Sequence, residues 1–208
     1  MSKEARTPAL AGMAGPGLFF IVVLLAGVIT PGYDAMGQFA SELSIGPLGW
    51  IMIANFIVFG LLVLLFGIGL WSGFGPAMSA RAGAVLVSIV GIALVLAGVF
   101  VTDPEDAQMS AAGAIHLLAS VLVFLLLSVA CFVFAWRFRS DRLFALYSVA
   151  TGIAIPPLFL STASAGGILG LVQRILIAIA WTWLTLLAVR LYREIGGAGM
   201  PTPAGGAR

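Results

Sequence analysis

The sequence predicts an all-α fold, a polytopic membrane bundle of six transmembrane helices, and three observations predict it. Of 208 residues, 62% are hydrophobic and 9% charged, against roughly 25% charged in a soluble domain. The mean hydropathy of +1.16 exceeds what one compact core can absorb, so apolar residues must face lipid. Those residues also fall into six runs, each approaching or exceeding the roughly 20 residues that cross a bilayer.

The first run, Met13 to Thr30, follows a polar N-terminal segment, residues 1–12, that holds Lys3 and Arg6. Its apolar stretch is too long for a secretory leader, and Thr30-Pro31-Gly32 is a poor cleavage site, so it is expected to remain as a span. The second and third runs, Trp50 to Leu70 and Ala82 to Val101, carry Gly60, Gly67, Gly69, Gly83, Gly91, Ala93, Ala97 and Gly98. Small residues let membrane helices approach closely, which is where their association energy comes from. The fourth run is Gly113 to Trp136. The fifth, Leu143 to Thr162, holds Pro156-Pro157 near its end, where missing N–H groups predict an interruption and a kink. The sixth, Leu171 to Tyr192, completes a transmembrane domain over residues 13–193. Residues 194–208 are Gly, Pro and Ala rich without periodicity, and are expected to form a disordered cytoplasmic tail.

Orientation follows from the excess of Lys and Arg on the cytoplasmic side of membrane proteins. Lys3, Arg6, Arg81, Arg137, Arg139, Arg142, Arg190, Arg193 and Arg208 fall on one side and Arg174 alone on the other, nine against one of the ten. Both termini are therefore expected in the cytoplasm of a plasma membrane, with residues 31–49, 102–112 and 163–170 facing out.

The same scatter of charge argues against a nucleic-acid partner, which needs a contiguous basic patch despite the pI near 9.1. The single cysteine, Cys131, excludes an intrachain disulfide and sits in an apolar run as a packing residue. One histidine leaves no pair of axial ligands for a haem. Inner polarity is confined to Asn55, Ser88, Thr151 and Thr182, which are expected to hydrogen-bond between helices.

Ionisable residues gather at the outer ends of the helices. Asp34, Glu42, Asp103, Glu105 and Asp106 all fall in the outer loops, with Tyr33, Ser41 and Ser44 beside them. His116 lies a short way into the fourth run, Ser120 one turn deeper on the same face, and Gln173 and Arg174 open the sixth. Charge at membrane depth is costly unless paired or wetted, so this layer is the candidate site. Arg174, isolated from the other cations, is expected to meet a carboxylate, Glu42 or Asp103. Each residue also has a plain structural reading. Asp103-Pro104 forms turns, Asp106 or Ser110 can cap the fourth helix, His116 can hold a loop carbonyl, Arg174 can reach lipid phosphates, and Glu42 can lie on an interfacial helix.

Ser41-Glu42-Leu43 before the second run, Asp103-Pro104 after the third, His116-Leu117-Leu118 in the fourth and Gln173-Arg174-Ile175 opening the sixth, in that order and on one membrane side, carry a resemblance. The chain resembles the prokaryotic six-helix membrane family known as domain of unknown function nine-nine-eight, over residues 13–193. The resemblance implies a six-helix bundle with no established activity, and it marks Ser41, Glu42, Asp103, His116 and Arg174 as the positions to test. Glu105 and Asp106 depart from its pattern.

Three functions suit such a layer. It can bind a lipid head group or another small ligand, with His116 titrating near neutral pH and Arg174 holding an anion. It can form a metal-dependent lipid hydrolase, with Glu42, Asp103 and His116 on one zinc ion, or with Ser41 and His116 as a metal-free nucleophile and base. That second function is similar to the membrane ceramidase and progestin-receptor superfamily, which uses Ser, Asp and several His residues where this chain has one histidine. Alternatively, the layer locks loops to the bundle of an accessory or structural subunit whose helices meet a partner protein. No strong catalytic signature decides whether the chain is an enzyme.

Overall fold

A computed structural model describes residues 6–104 and 107–197. Lys3, the acid pair Glu105 and Asp106, and residues 198–208 of the expected tail lie outside the described residues. The described chain is all-helical: α1 (Arg6–Ile29), α2 (Gly49–Gly73), α3 (Met78–Val99), α4 (Ala111–Arg137), α5 (Arg142–Ser161) and α6 (Leu169–Gly197). A 3-10 helix over Ala40–Ser44 interrupts the long α1–α2 connection, and 3-10 turns over Thr162–Ser164 and Gly166–Ile168 join α5 to α6. All six helices are long and apolar enough to cross a membrane, and the protein is a multi-pass membrane protein.

Each helix packs on its neighbour in sequence, and α6 returns to α1, so the six close into a ring. Its interior is aromatic: Phe19, Phe59, Phe66, Phe134, Trp181 and Trp183 are fully buried. The α2–α3 seam is the most extensive contact, and its small residues explain why. A methyl added to Gly60 would sit 2.7 Å from the Gly91 carbonyl oxygen, and one on Gly91 2.5 Å from the Leu64 nitrogen. Backbone thus meets backbone, as the sequence predicts for this pair.

Three expectations about where the helices begin, end and break change in the structure. First, α1 begins at Arg6 and not near Met13. Thr7 to Gly12 add little hydropathy, yet Ala9 is wholly buried and a methyl on Gly12 would strike the Phe66 ring at 2.6 Å, so tertiary contact holds this turn helical. Second, α6 runs through Glu194 to Gly197, beyond the expected end of the bundle, and Ile195 still packs in the core. Third, α5 passes through Pro156 and Pro157 as one continuous helix. Pro156 has no N–H for the Gly152 carbonyl four residues back, and the Ser128 hydroxyl from α4 donates to that oxygen at 2.7 Å instead.

Inner polar groups serve the same end. Asn55 Nδ2 on α2 donates to the Phe19 carbonyl of α1 at 3.2 Å, and Trp183 Nε1 on α6 donates to Ser148 Oγ of α5 at 3.0 Å. Thr182 was expected among these links, but its position is exposed, facing away from the bundle.

The two ends of the bundle differ. Arg6, Arg81, Arg137, Arg139, Arg142, Arg190 and Arg193 lie at or beside helix ends on one side, and Arg174 lies near the other. The Arg-poor end carries the 3-10 helix at Ala40–Ser44, every residue of which is buried. It covers the ring like a plug, and the candidate site lies beneath it.

Candidate functional site

His116 stands in the second turn of α4, about 9 Å below the Ser110 cap at 1.5 Å per residue, and it is 5% exposed. Its Nδ1 lies 2.8 Å from the Ala97 carbonyl and 3.0 Å from the Phe100 carbonyl. Both partners accept only, so Nδ1 carries the proton and donates to both. These are carbonyls at the C-terminus of α3, left without helical partners where the helix stops. His116 therefore ties α4 to the end of α3. In the neutral ring Nε2 is then the lone-pair nitrogen.

The imidazole lines a chamber between α1, α2, α3, α4, α6 and the buried 3-10 helix. Its polar lining is Ser41, His116, Ser120 and Gln173, with Trp181 behind them and Phe19, Phe56 and Phe124 as walls. An adjoining chamber shares Ser41, His116, Ser120, Phe124 and Gln173, and continues past Leu117, Phe159 and Thr162 toward the α4–α5 side. The inner space is about 30 Å³ and the outer about 120 Å³. That is room for a small polar group, since a water needs about 10–15 Å³ of such space. Among the described residues no Lys, Arg, Asp or Glu lines either chamber.

Two lining groups have a defined hydrogen-bonding sense. Gln173 Oε1 accepts from Ala40 N at 2.7 Å, which leaves its amide NH2 as the remaining donor. Trp181 is 2% exposed, its indole stacks on Phe124, and its Nε1 has no acceptor among the described residues. A buried indole N–H without a partner costs on the order of 1–3 kcal/mol.

The charged candidates are placed elsewhere. Glu42 is 9% exposed; its Oε1 accepts from Phe39 N at 2.9 Å and its Oε2 from Gln38 Nε2 at 3.3 Å, closing the first turn of the 3-10 helix. Asp103 accepts from Ser110 N at 2.7 Å, and Ser110 Oγ accepts in turn from Gly113 N at 3.0 Å as the N-cap of α4. Arg174 was expected to meet Glu42 or Asp103. Among the described residues the one ion pair is Arg190 with Asp141, and Arg174 donates to the Tyr33 hydroxyl, to the Gln38 carbonyl at 3.1 Å and to the Gly170 carbonyl at 2.8 Å. The acceptors are two backbone carbonyls, Gln38 in the loop and Gly170 in the first turn of α6, and a phenol. Burial pushes the Tyr33 phenol up, and the Arg174 guanidinium only partly opposes it.

Of the five residues marked by the sequence, the structure brings Ser41 and His116 together on one chamber and sets Glu42, Asp103 and Arg174 on the loop framework around it. Among the described residues no three His, Cys, Asp or Glu side chains gather on a common point. Ser120 and Gln173 were visible in the sequence as neighbours of the layer. Trp181 was not, because an aromatic residue in an apolar run gives no signal of an unpaired N–H.

Among curated proteins and among solved structures, no match to this chain is found. The family described as Protein of unknown function (DUF998) matches residues 13–190, which takes in α2 to α5 whole, most of α1 and α6, and every residue of the chamber. The chain belongs to this family, and its six long apolar helices make it an integral membrane protein.

Proposed function

We propose that the protein binds a small neutral hydrogen-bonding group, the hydroxyl-bearing head of an uncharged lipid or a free molecule of that chemistry, in the chamber beneath the 3-10 helix. The observation that supports this reading is the lining: the His116 imidazole, whose Nδ1 is held by two carbonyls, the Gln173 amide NH2, and the Ser41 and Ser120 hydroxyls within aromatic walls. A hydroxyl both gives and accepts, so it can meet a base and a donor at once. Among the described residues the lining carries no Arg or Lys of the kind a phosphate head calls for, which favours a neutral head. The Arg bias supports a plasma-membrane orientation with both termini cytoplasmic, so the chamber opens outward.

The test is the thermal stability of the purified protein with 1-monoacylglycerol, free glycerol and phosphatidylglycerol. A ligand at a hundred times its Kd stabilises by about 2.7 kcal/mol. Monoacylglycerol or glycerol is expected to raise the Tm of the natural protein and leave Ser120→Leu, which fills the chamber, unmoved. No rise with either, or an equal rise in both proteins, would contradict the proposal.

A zinc-dependent hydrolase would draw on Glu42, Asp103 and His116, of which Glu42 and Asp103 each accept a backbone N–H here. The zinc content of the protein beside His116→Ala decides that alternative.

A further inference from the structure

A groove of about 430 Å³ lies at the Arg-rich end between α5 and α6, remote from the chamber. Its volume falls within the roughly 300–1,000 Å³ of ligand clefts. Asp141, Arg190 and Arg193 stand at its mouth, and Leu143, Phe144, Tyr147, Leu186 and Val189 form its walls. From Arg193 back to Leu186 the groove descends about 10 Å along α6 at 1.5 Å per residue. Leu143 is 82% and Leu186 41% exposed, so this apolar trough opens on the lipid-facing surface.

The mouth is preorganised for an anion. The Arg190 guanidinium lies over the Phe138 and Phe144 rings, 4.4 and 4.5 Å from their centres, and donates to Asp141 at 2.7 Å. Two aromatic faces and one carboxylate hold it in place. Arg193 is exposed, and Arg137, Arg139 and Arg142 stand at the same end against Asp141 and Glu194. The Arg190 guanidinium holds the Asp141 carboxyl below the usual carboxylate range, so the carboxylate stays charged and shares the cation.

We propose that this groove holds one anionic phospholipid, its phosphate on Arg190 and Arg193 and the upper part of an acyl chain along Leu143, Tyr147 and Leu186. Cationic mouth and apolar trough match the two halves of such a lipid, and basic pockets between helices at a membrane surface recognise anionic heads. The site is independent of the chamber and of its ligand.

Native mass spectrometry of the intact protein, titrated with phosphatidylglycerol and with phosphatidylcholine of the same chains, tests it. The natural protein is expected to prefer phosphatidylglycerol. Arg193→Gln should weaken that lipid about fivefold, the effect of ~1 kcal/mol per basic residue near a membrane surface. Arg81→Gln, an equal charge loss off the groove, should leave it unchanged. Asp141→Asn keeps a competent helix cap and frees Arg190, so it should strengthen binding. Equal affinity for the two lipids, or equal losses in Arg193→Gln and Arg81→Gln, would overturn the proposal.

Discussion

The Ser128 hydroxyl on α4 donates to the Gly152 carbonyl on α5 at 2.7 Å, replacing the N–H that Pro156 lacks. The two prolines are therefore tolerated through a bond from another helix. Ser128→Ala should destabilise the bundle by about 1 kcal/mol, between the ~0.6 kcal/mol mean for membrane hydrogen bonds and the cost of an orphaned buried carbonyl. With Pro156→Ala in place the carbonyl regains a helical donor, so the same change should cost clearly less. Unfolding of the four proteins of this double-mutant cycle measures the difference, and strict additivity would sink the idea.

At the start of α4, Gly113 leaves space for Asp103. A methyl at Gly113 would fall 1.9 Å from Asp103 Oδ2, which holds Ser110 N at 2.7 Å. Gly113→Ala should cost about 1–3 kcal/mol as an overpacking change. Asp103→Ala, which removes an acceptor beside the helix N-terminus, should cost about 0.5–2 kcal/mol. Thermal unfolding measures both. Asp103→Ala should leave monoacylglycerol affinity within twofold, because Asp103 does not line the chamber.

Arg174 staples the loop over residues 33–39 to α6 through Tyr33, Gln38 and Gly170. Arg174→Lys supplies charge without the planar fork, so it should not restore this anchor. Hydrogen exchange of the loop should rise in Arg174→Lys and Arg174→Gln alike. The buried phenol adds a pH dependence. Its folded pKa is raised above 10.0, so its contribution is fully present below about 10 and is lost as pH rises through the folded value. Loop protection that survived strong alkali unchanged would contradict this placement of Tyr33.

Much of the fold was legible because bilayer thickness imposes span length, and Gly60 and Gly91 announced the α2–α3 seam. Helix ends were less so. Thr7 to Gly12 are helical through contacts with α2 and α6 that no hydropathy window contains, and Gly152 needed Ser128 to carry α5 past its prolines. At the site, the cost of intramembrane charge directed attention to Glu42, Asp103 and Arg174, whose bonds go to the loops and to the first turn of α6. Among the described residues the chamber itself is made of uncharged groups. His116 and Ser41 were visible as rare polar residues, whereas Trp181 acquires meaning only once its neighbours are seen to offer no acceptor.

His116 is the only histidine in the chain, so ¹⁵N-histidine labelling reports its two ring nitrogens without assignment. Magnetic resonance of the labelled protein in bilayers tests the chamber most directly. The structure predicts a proton on Nδ1, held by Ala97 and Phe100, and a bare Nε2 whose resonance moves when monoacylglycerol is added to the natural protein but not to Ser120→Leu. A proton on Nε2 with Nδ1 bare, or a ring indifferent to every neutral hydroxyl ligand that binds, would contradict the account.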